Sequence, residues 1–383
     1  MKKIINLIGV ILILAAFVFS GMEMIHGKDS QNVALIIDEG IYNNLKNEID
    51  NYTNSVSANY NVQVFLWNSS SPYELRKFLR NLYENESFIG AVLVGDVPIQ
   101  KYYTYWEDYP QYSEVHLCPY YYMDVDGYWY DGNQDGILDN RTGDIAPEIW
   151  VGIIRSLHDN GNNISELKNY FHKLREYRNG NLSLPQSALV FIDDDWESIA
   201  DGWASDVSNA YPNYTLIKDV NETCASRYIS EITSGKYAFV HLAAHSWEGG
   251  HAFKVNGGAS WEYVYSSDID SANPKVFFYN LFCCHAANFE QDCIAEHYIM
   301  TTDYGLLVIG STKTGGMWLL EKQRYYMDVL YTDLGSGKCF GDAFLDWFSY
   351  PGNYDEQFDY FGGMCILGDP LLTITPQTVS EIM

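Results

Sequence analysis

From Val33 onward, short apolar runs alternate with segments whose apolar residues recur at helical spacing, and this alternation narrows the possible folds more than any other feature. Val33–Asp38 is apolar, Ile41–Ile49 is amphipathic and Asn61–Trp67 is strand-like. Pro72–Leu82 sets Tyr73, Leu75, Phe78, Leu79 and Leu82 at helical intervals, and Ala91–Gly95 reads as a buried strand. Strands that alternate with helices imply a mainly parallel sheet, because parallel neighbours need crossover connections that pack on the sheet faces. A fresh series begins after the Pro185-containing stretch Asn181–Ser187. Its expected strands are Ala188–Asp193, Tyr214–Ile217, Tyr237–Ala243, Val276–Phe282 and Gly305–Ser311. The expected architecture is α/β: two adjacent, mainly parallel sheets flanked by helices in three layers, with an N-terminal subdomain over 32–184 and a larger one over 185–376.

Between these series, Lys101–Pro147 loses periodicity in a Tyr-, Asp- and Gly-rich stretch too long for an ordinary connection, so a functional or ion-organised role is expected. Glu148–Ile154 then reads as a strand. A helix follows, opened by the capping pair Asn163 and Glu166 and stopped at Asn179-Gly180.

Lys2 and Lys3 precede an apolar run from Ile4 to Phe19, and Ser20-Gly21 supplies small residues where a signal peptidase cuts. A signal peptide over 1–21, with cleavage as late as about residue 27, and a secreted or cell-surface protein are therefore expected. The alternative is an uncleaved anchor, the one membrane association considered. Eight Asn-x-Ser/Thr sequons suit a surface exposed to glycosylation. The 383 residues carry 50 acidic against 23 basic side chains, a formal charge of −27, which repels phosphate backbones and argues against nucleic-acid binding. The seven cysteines form no C-x-x-C pair; their odd number leaves at least one thiol free, with up to three disulfides open to the rest.

Two strand ends carry reactive side chains. Tyr237–Ala243 runs into Ala244-His245-Ser246, and Pro274–Phe282 runs into Cys283-Cys284-His285. In open α/β sheets, ligands gather outside the carboxyl ends of strands, so thiol and imidazole would face one crevice. Nucleophilic catalysis needs such a thiol, an imidazole to move the proton, and N–H groups to hold an oxyanion. A helix expected over Asn288–Met300 would add a positive end just beyond Cys284. The H-x-x-x-H spacing of His241 and His245 leaves zinc as the lesser alternative.

Asp131-Gly132-Asn133-Gln134-Asp135-Gly136, followed by Asp139, has oxygen ligands at alternate positions and Gly at the sharp turn of a calcium loop; Asp124 and Asp126 lie just upstream. Position twelve is Thr142 and no helix enters the loop, so a calcium site outside the EF-hand class is expected. A second acidic run, Asp193-Asp194-Asp195, closes a strand at the crevice side; binding a cation and facing the substrate are its alternatives to the favoured reading, a hydrated strand end.

An apolar strand ending in a His turn, followed some forty residues later by an apolar strand ending in a small residue and Cys, resembles the caspase–haemoglobinase clan. Within it, Phe277–Phe289, AVLVGDVP (91–98), GDIAPEIWVGIIR (143–155) and MCILGDPL (364–371) resemble the landmarks of the gingipain-type cysteine peptidases. The resemblance implies Cys284 as nucleophile, His245 as acid/base, Glu148 as the carboxylate supporting His245, and an oxyanion hole from the backbone N–H groups of Cys284 and Ser246. It also implies structural Ca2+, no organic cofactor, and protein or peptide substrates. Asp159 stands where a basic-specific pocket would have its acid, and Met317-Trp318 where an aromatic wall would stand, with core packing as their other reading. One departure is Ala244 and Ser246 flanking His245, where the family usually has Gly on one or both sides, a residue that tolerates positive φ. The expected activity is peptide-bond hydrolysis; an envelope processing enzyme or transpeptidase with the same dyad, or an inactive calcium-binding module, are the alternatives.

Overall fold

In the computed structural model, which describes residues 30–106, 110–315, 326–350 and 361–375, the apolar runs form strands and the amphipathic segments form helices. The first half contains β1 (Gln31–Asp38), α1 (Glu39–Val56), β2 (Tyr60–Trp67), α2 (Pro72–Glu86) and β3 (Phe88–Val94). It continues with β4 (Lys101–Thr104), β5 (Glu114–Leu117), α3 (Tyr120–Met123), β6 (Tyr128–Tyr130), β7 (Asn140–Thr142), β8 (Trp150–Ile154) and α4 (Ile164–Arg178). The second half brings β9 (Ala188–Ile192), α5 (Glu197–Val207), β10 (Tyr214–Ile217), α6 (Ala225–Thr233) and β11 (Phe239–Ala243). Then come β12 (His245–Trp247), β13 (Gly250–Val255), β14 (Ser260–Tyr265), α7 (Ser266–Ala272), β15 (Phe278–Phe282), α8 (Ile294–Met300) and β16 (Leu307–Ser311). Helices α9 (Met327–Gly335) and α10 (Phe340–Ser349) precede the last strand, β17 (Met364–Gly368).

Ten strands make one sheet in the order β10-β9-β11-β15-β16-β17-β8-β3-β1-β2. β10, β9, β11, β15 and β16 are mutually parallel, as are β8, β3, β1 and β2. β17 is antiparallel to β16, and its Ile366 and Leu367 meet Gly152 and Ile153 of β8. The two expected sheets thus join edge to edge through a strand drawn from the end of the chain. Strands from both sides of residue 185 share the sheet, and the described residues from Gln31 on form one compact unit.

The inner strands are largely apolar because helices cover both faces. Val33–Ile37 and Val92–Val94 are at most 1% exposed. α1 begins where Asp38 accepts a hydrogen bond from Gly40 N–H, and it buries Ile41, Leu45, Ile49, Tyr52 and Val56 along one face. α4 opens as expected with Asn163, whose side chain accepts from Ser165 and Glu166 N–H; the Glu166 carboxylate itself reaches His158. Lys173 of α4 is buried and donates to the carbonyls of Ile299, Thr302 and Gly305, at the end of α8 and in the turn before β16, at 2.6, 2.6 and 3.0 Å. Burial draws its pKa down to about 7.

Two features position the site. The carboxyl ends of β9, β11 and β15 stand side by side, tied by Asp193 N–H to Ala243 O at 2.9 Å. Directly after β11 the chain turns into a three-stranded antiparallel sheet, β12-β13-β14, that stands over this edge. The helix expected from Asn288 starts only at Ile294, ten residues past Cys284, so no helix end lies immediately beyond the thiol. Turns at 285–292 occupy that interval, with Ala287 N–H bonded to Ser311 O and Asn288 N–H to His285 O.

Candidate active site

Cys284 leaves β15 partly buried, and its sulfur accepts a 3.5 Å hydrogen bond from Gly315 N–H. Burial pushes the thiol pKa up; the Gly315 N–H and the Lys313 charge pull in the opposite direction without overcoming it. None of the seven cysteines is in a disulfide, and Cys283 beside it is buried with its sulfur toward Leu242 O. His285, the next residue, holds φ at +55°, a left-handed conformation that costs a non-glycine residue about 1–3 kcal/mol. Its N–H bonds to Lys313 O, and its ring meets Thr314 Oγ1 at 3.0 Å, Glu114 at 3.3 Å and Glu248 at 3.7 Å.

His245 opens β12 with its ring between Trp196 and Trp261, at centroid distances of 4.9 and 5.1 Å. Its Nε2 lies 2.5 Å from Asp195 Oδ2. Asp195 also receives Lys254 Nζ, 2.6 Å from the same oxygen. Burial alone would raise the Asp195 carboxyl, but the hydrogen bonds from Lys254 and His245 outweigh it and hold the pKa below its ordinary value. Asp195 follows β9, the strand beside β11, which is why a residue 50 positions away reaches the ring. Sequence reasoning read the Asp193–Asp195 run as hydrated; its place at a strand end on the crevice side was the signal that pointed here.

Glu148 takes a different place from the one expected. Its Oε2 accepts Val125 N–H at 2.8 Å, and it forms no hydrogen bond with His245. The reason is sheet order: β15, β16 and β17 separate β8, which follows Glu148, from β11. Glu148 instead converges with Asp124 and Asp126, one oxygen of each lying within 4.8 Å of the others, a cluster able to coordinate a divalent cation. Asp124 is fully buried and accepts from Gly127 N–H, Trp129 Nε1 and Arg76. Asp126 Oδ1 is buried without a hydrogen-bond partner. Burial, with the charges of Asp126 and Asp124, raises the Glu148 pKa to about 7.

The loop carboxylates at 131–139 are turned to their own backbone. Asp131 accepts from Asp135 and Gly136 N–H, Asn133 from Asp135 N–H, Asp135 from Ile137 N–H, and Asp139 from Gly132 N–H. Among the described residues, Asp131, Asp135 and Asp139 do not form a convergent group of the kind made by Asp124, Asp126 and Glu148.

Ala244 and Ser246 both lie outside the left-handed region, so the His245 turn does not require glycine. The Ser246 hydroxyl donates to the Cys284 carbonyl and joins the histidine strand to the cysteine turn. Asp159 sits in a short 3-10 turn with its carboxylate on Asn163 Nδ2 at 3.0 Å and forms no hydrogen bond with Cys284 or His245. Arg155, before that turn, donates to Phe289 O and packs 5.0 Å from the Phe289 ring, fixing the segment that follows Cys284. Met317 and Trp318 lie outside the described residues, as does the expected signal segment.

No curated protein matches the chain. Among solved structures, a protein described as a LacI transcriptional regulator from Bacteroides fragilis aligns at 11% identity, over 74% of this chain and 85% of its own, with a TM-score of 0.18. That likeness is too weak to bear on fold or activity. The model of peptidase family C25 matches residues 37–375, a span that includes Cys284, His245, Asp195 and the acidic cluster. The chain therefore belongs to peptidase family C25.

Proposed function

We propose that the chain is a gingipain-like cysteine endopeptidase with the caspase–haemoglobinase fold, using Cys284 and His245 as its dyad and Asp195 as the group that positions the imidazole. The observation that carries this reading is the 2.5 Å hydrogen bond between Asp195 and His245 Nε2, one strand away from a thiol-bearing strand end. Family membership supports proteolytic chemistry in general. With Nε2 engaged by the carboxylate, Nδ1 is the nitrogen left to exchange a proton with Cys284.

In this mechanism the Cys284 thiol gives its proton to His245 as sulfur bonds to the scissile carbonyl carbon, and the carbonyl π pair moves onto oxygen. The N–H groups of Cys284 and Ser246 receive that oxyanion. Collapse breaks the C–N bond, and the imidazolium protonates the leaving amine. Water then gives a proton to His245 as its oxygen bonds to the thioester carbon; the C–S bond breaks, the imidazolium returns the proton to the Cys284 sulfur, and the acid product leaves and ionises in solvent. Asp195 stabilises the imidazolium between these transfers. The raised pKa of Cys284 suits a thiol that is deprotonated during attack rather than a standing thiolate.

A structural Ca2+ fits the three carboxylates of Asp124, Asp126 and Glu148, since a cation would satisfy the unpartnered Asp126 oxygen and relieve their mutual repulsion. It would brace the segment ahead of β8. The charged start and apolar run of the chain support export. A fluorogenic peptide library screened with calcium and reductant tests the proposal: turnover abolished by Cys284→Ala is expected, and turnover that survives this change would contradict it.

A further inference from the structure

The small sheet that carries His245 has an exposed face made of aromatic rings. Trp261, Tyr263 and Tyr265 alternate along β14 and therefore point the same way, with exposures of 40, 46 and 49%. The residues between them, and the partners of those residues on β13, face the other side: Val264 and its partner His251 are buried, as is Phe253, and Phe253's partner Glu262 accepts Ala225 N–H. Opposite the rings, the central strand offers Gly250, Ala252 and Lys254, and beyond it β12 offers Trp247 and His245. Gly250 is required by close approach: a Cβ there would fall 2.6 Å from the Trp247 ring. Trp247 thereby reaches over the central strand to Tyr263 and Tyr265, at centroid distances of 5.9 and 5.7 Å. Tyr263 and Tyr265 lie 6.0 Å apart, tilted by 35°.

The outward face of an antiparallel sheet is ordinarily polar, so four rings here point to a ligand surface. The face is also continuous with the catalytic imidazole, because the Trp261 ring packs on His245. A polypeptide cleaved beside His245 must leave the reacting centre along some neighbouring surface, and this one begins at the histidine. From Trp261 to Tyr265 it runs for roughly 13 Å, about four residues of an extended chain.

We propose that this face is a docking surface for the substrate polypeptide, taking aromatic or proline side chains about two to five residues from the scissile bond, on one side of it. The proposal rests on the peptidase reading above. The exposed Tyr263 and Tyr265 rings, held in edge-to-face contact by Trp247, favour flat apolar partners, and the cation at this sheet, Lys254, is already held over Trp261 at 5.5 Å and on Asp195.

The test pairs cleavage with binding. Wild-type protein and the Tyr263→Thr/Tyr265→Thr variant, which keeps β-forming residues at exposed positions, digest a proteome-derived peptide mixture, and cleavage sites are read by mass spectrometry. In parallel, Cys284→Ala protein with and without the two Thr substitutions is titrated, by tryptophan fluorescence, with Gly/Ser peptides of about a dozen residues that contain or lack Phe and Pro. The expected result is enrichment of aromatic residues and proline at a fixed offset, lost in the variant, with roughly tenfold weaker binding of the Phe/Pro peptide and unchanged turnover of a short fluorogenic substrate. Cleavage without that enrichment, enrichment the variant retains, or enrichment in Lys and Arg instead would overturn the docking proposal and leave the peptidase reading intact. Ring-dependent binding without any cleavage would overturn the peptidase reading instead, and absence of both would overturn the two together.

Discussion

If a divalent cation sits among Asp124, Asp126 and Glu148, calcium and pH must act on stability through the same carboxyl. Burial raises Glu148 from an ordinary 4.5 to about 7 in the metal-free protein. A carboxyl whose folded pKa lies above its unfolded value favours the fold below the unfolded value and loses that contribution as pH rises through the folded one. Metal-free protein should therefore lose stability between about pH 4.5 and pH 7. The shift sets an upper bound of about 3 kcal/mol, which solvent access to the partly exposed side chain reduces to about 1–2 kcal/mol. For roughly 350 residues, at about 2.1 cal/mol/K each, 1 kcal/mol moves Tm by about 1.4 °C. Thermal melts in chelator should thus fall by about 1–3 °C from pH 4.5 to 7.5 relative to Glu148→Gln, which cannot titrate. Calcium at a hundredfold excess over Kd adds about 2.7 kcal/mol, or about 4 °C, at pH 7.5. At pH 5 the cation must displace the Glu148 proton, so the gain should shrink by about 2 °C. An equal calcium gain in Glu148→Gln, or a larger gain at pH 5, would refute the reasoning. Loss of the gain in Asp131→Asn alone would place the cation in the 131–139 loop.

Asp195→Asn should lower kcat by about tenfold to a thousandfold, change KM by no more than about twofold, and alter the pH profile of kcat, because the ring loses its anionic partner but not its shape. Steady-state kinetics across pH measures this; a pure KM effect would argue for a substrate contact. Ser246→Ala removes the hydroxyl bonded to the Cys284 carbonyl, worth about 1 kcal/mol, so kcat/KM should fall roughly fivefold, with activity restored in Ser246→Thr where the hydroxyl is kept. Gly90→Ala would set a methyl 2.1 Å from the Trp150 ring, and chemical denaturation should show a loss of about 1–3 kcal/mol; an unchanged midpoint would contradict the β3–β8 register.

The parts of this molecule that are local were legible in its sequence. Asn163 caps its helix within its own turn, and the strand ends before His245 and Cys284 announce themselves by apolar runs that stop at reactive side chains. What depended on strand order was not legible. Asp195 reaches His245 only because β9 lies beside β11, and the sequence signals this only by placing the run at a strand end on the crevice side, which a hydrated acidic turn shares. Glu148 was drawn toward His245 by its motif, yet three strands intervene, and its partners come from the Asp124–Asp126 stretch that appeared without periodicity. The 131–139 loop has the spacing of a calcium loop, and Asx turns use the same alternation: Asp131 accepts from Asp135 and Gly136 N–H. The expected pair of sheets became one because β17, far along the chain, supplies the joining strand.

The central claim is that Cys284, alone among seven cysteines, is the nucleophile and depends on His245. Incubation with a peptidyl acyloxymethyl ketone, followed by peptide mass spectrometry, measures this directly. The account predicts one covalent adduct per chain, on Cys284, that forms far more slowly in His245→Ala. Folded protein that stays unlabelled, or an adduct on another cysteine that forms as fast without His245, would contradict it.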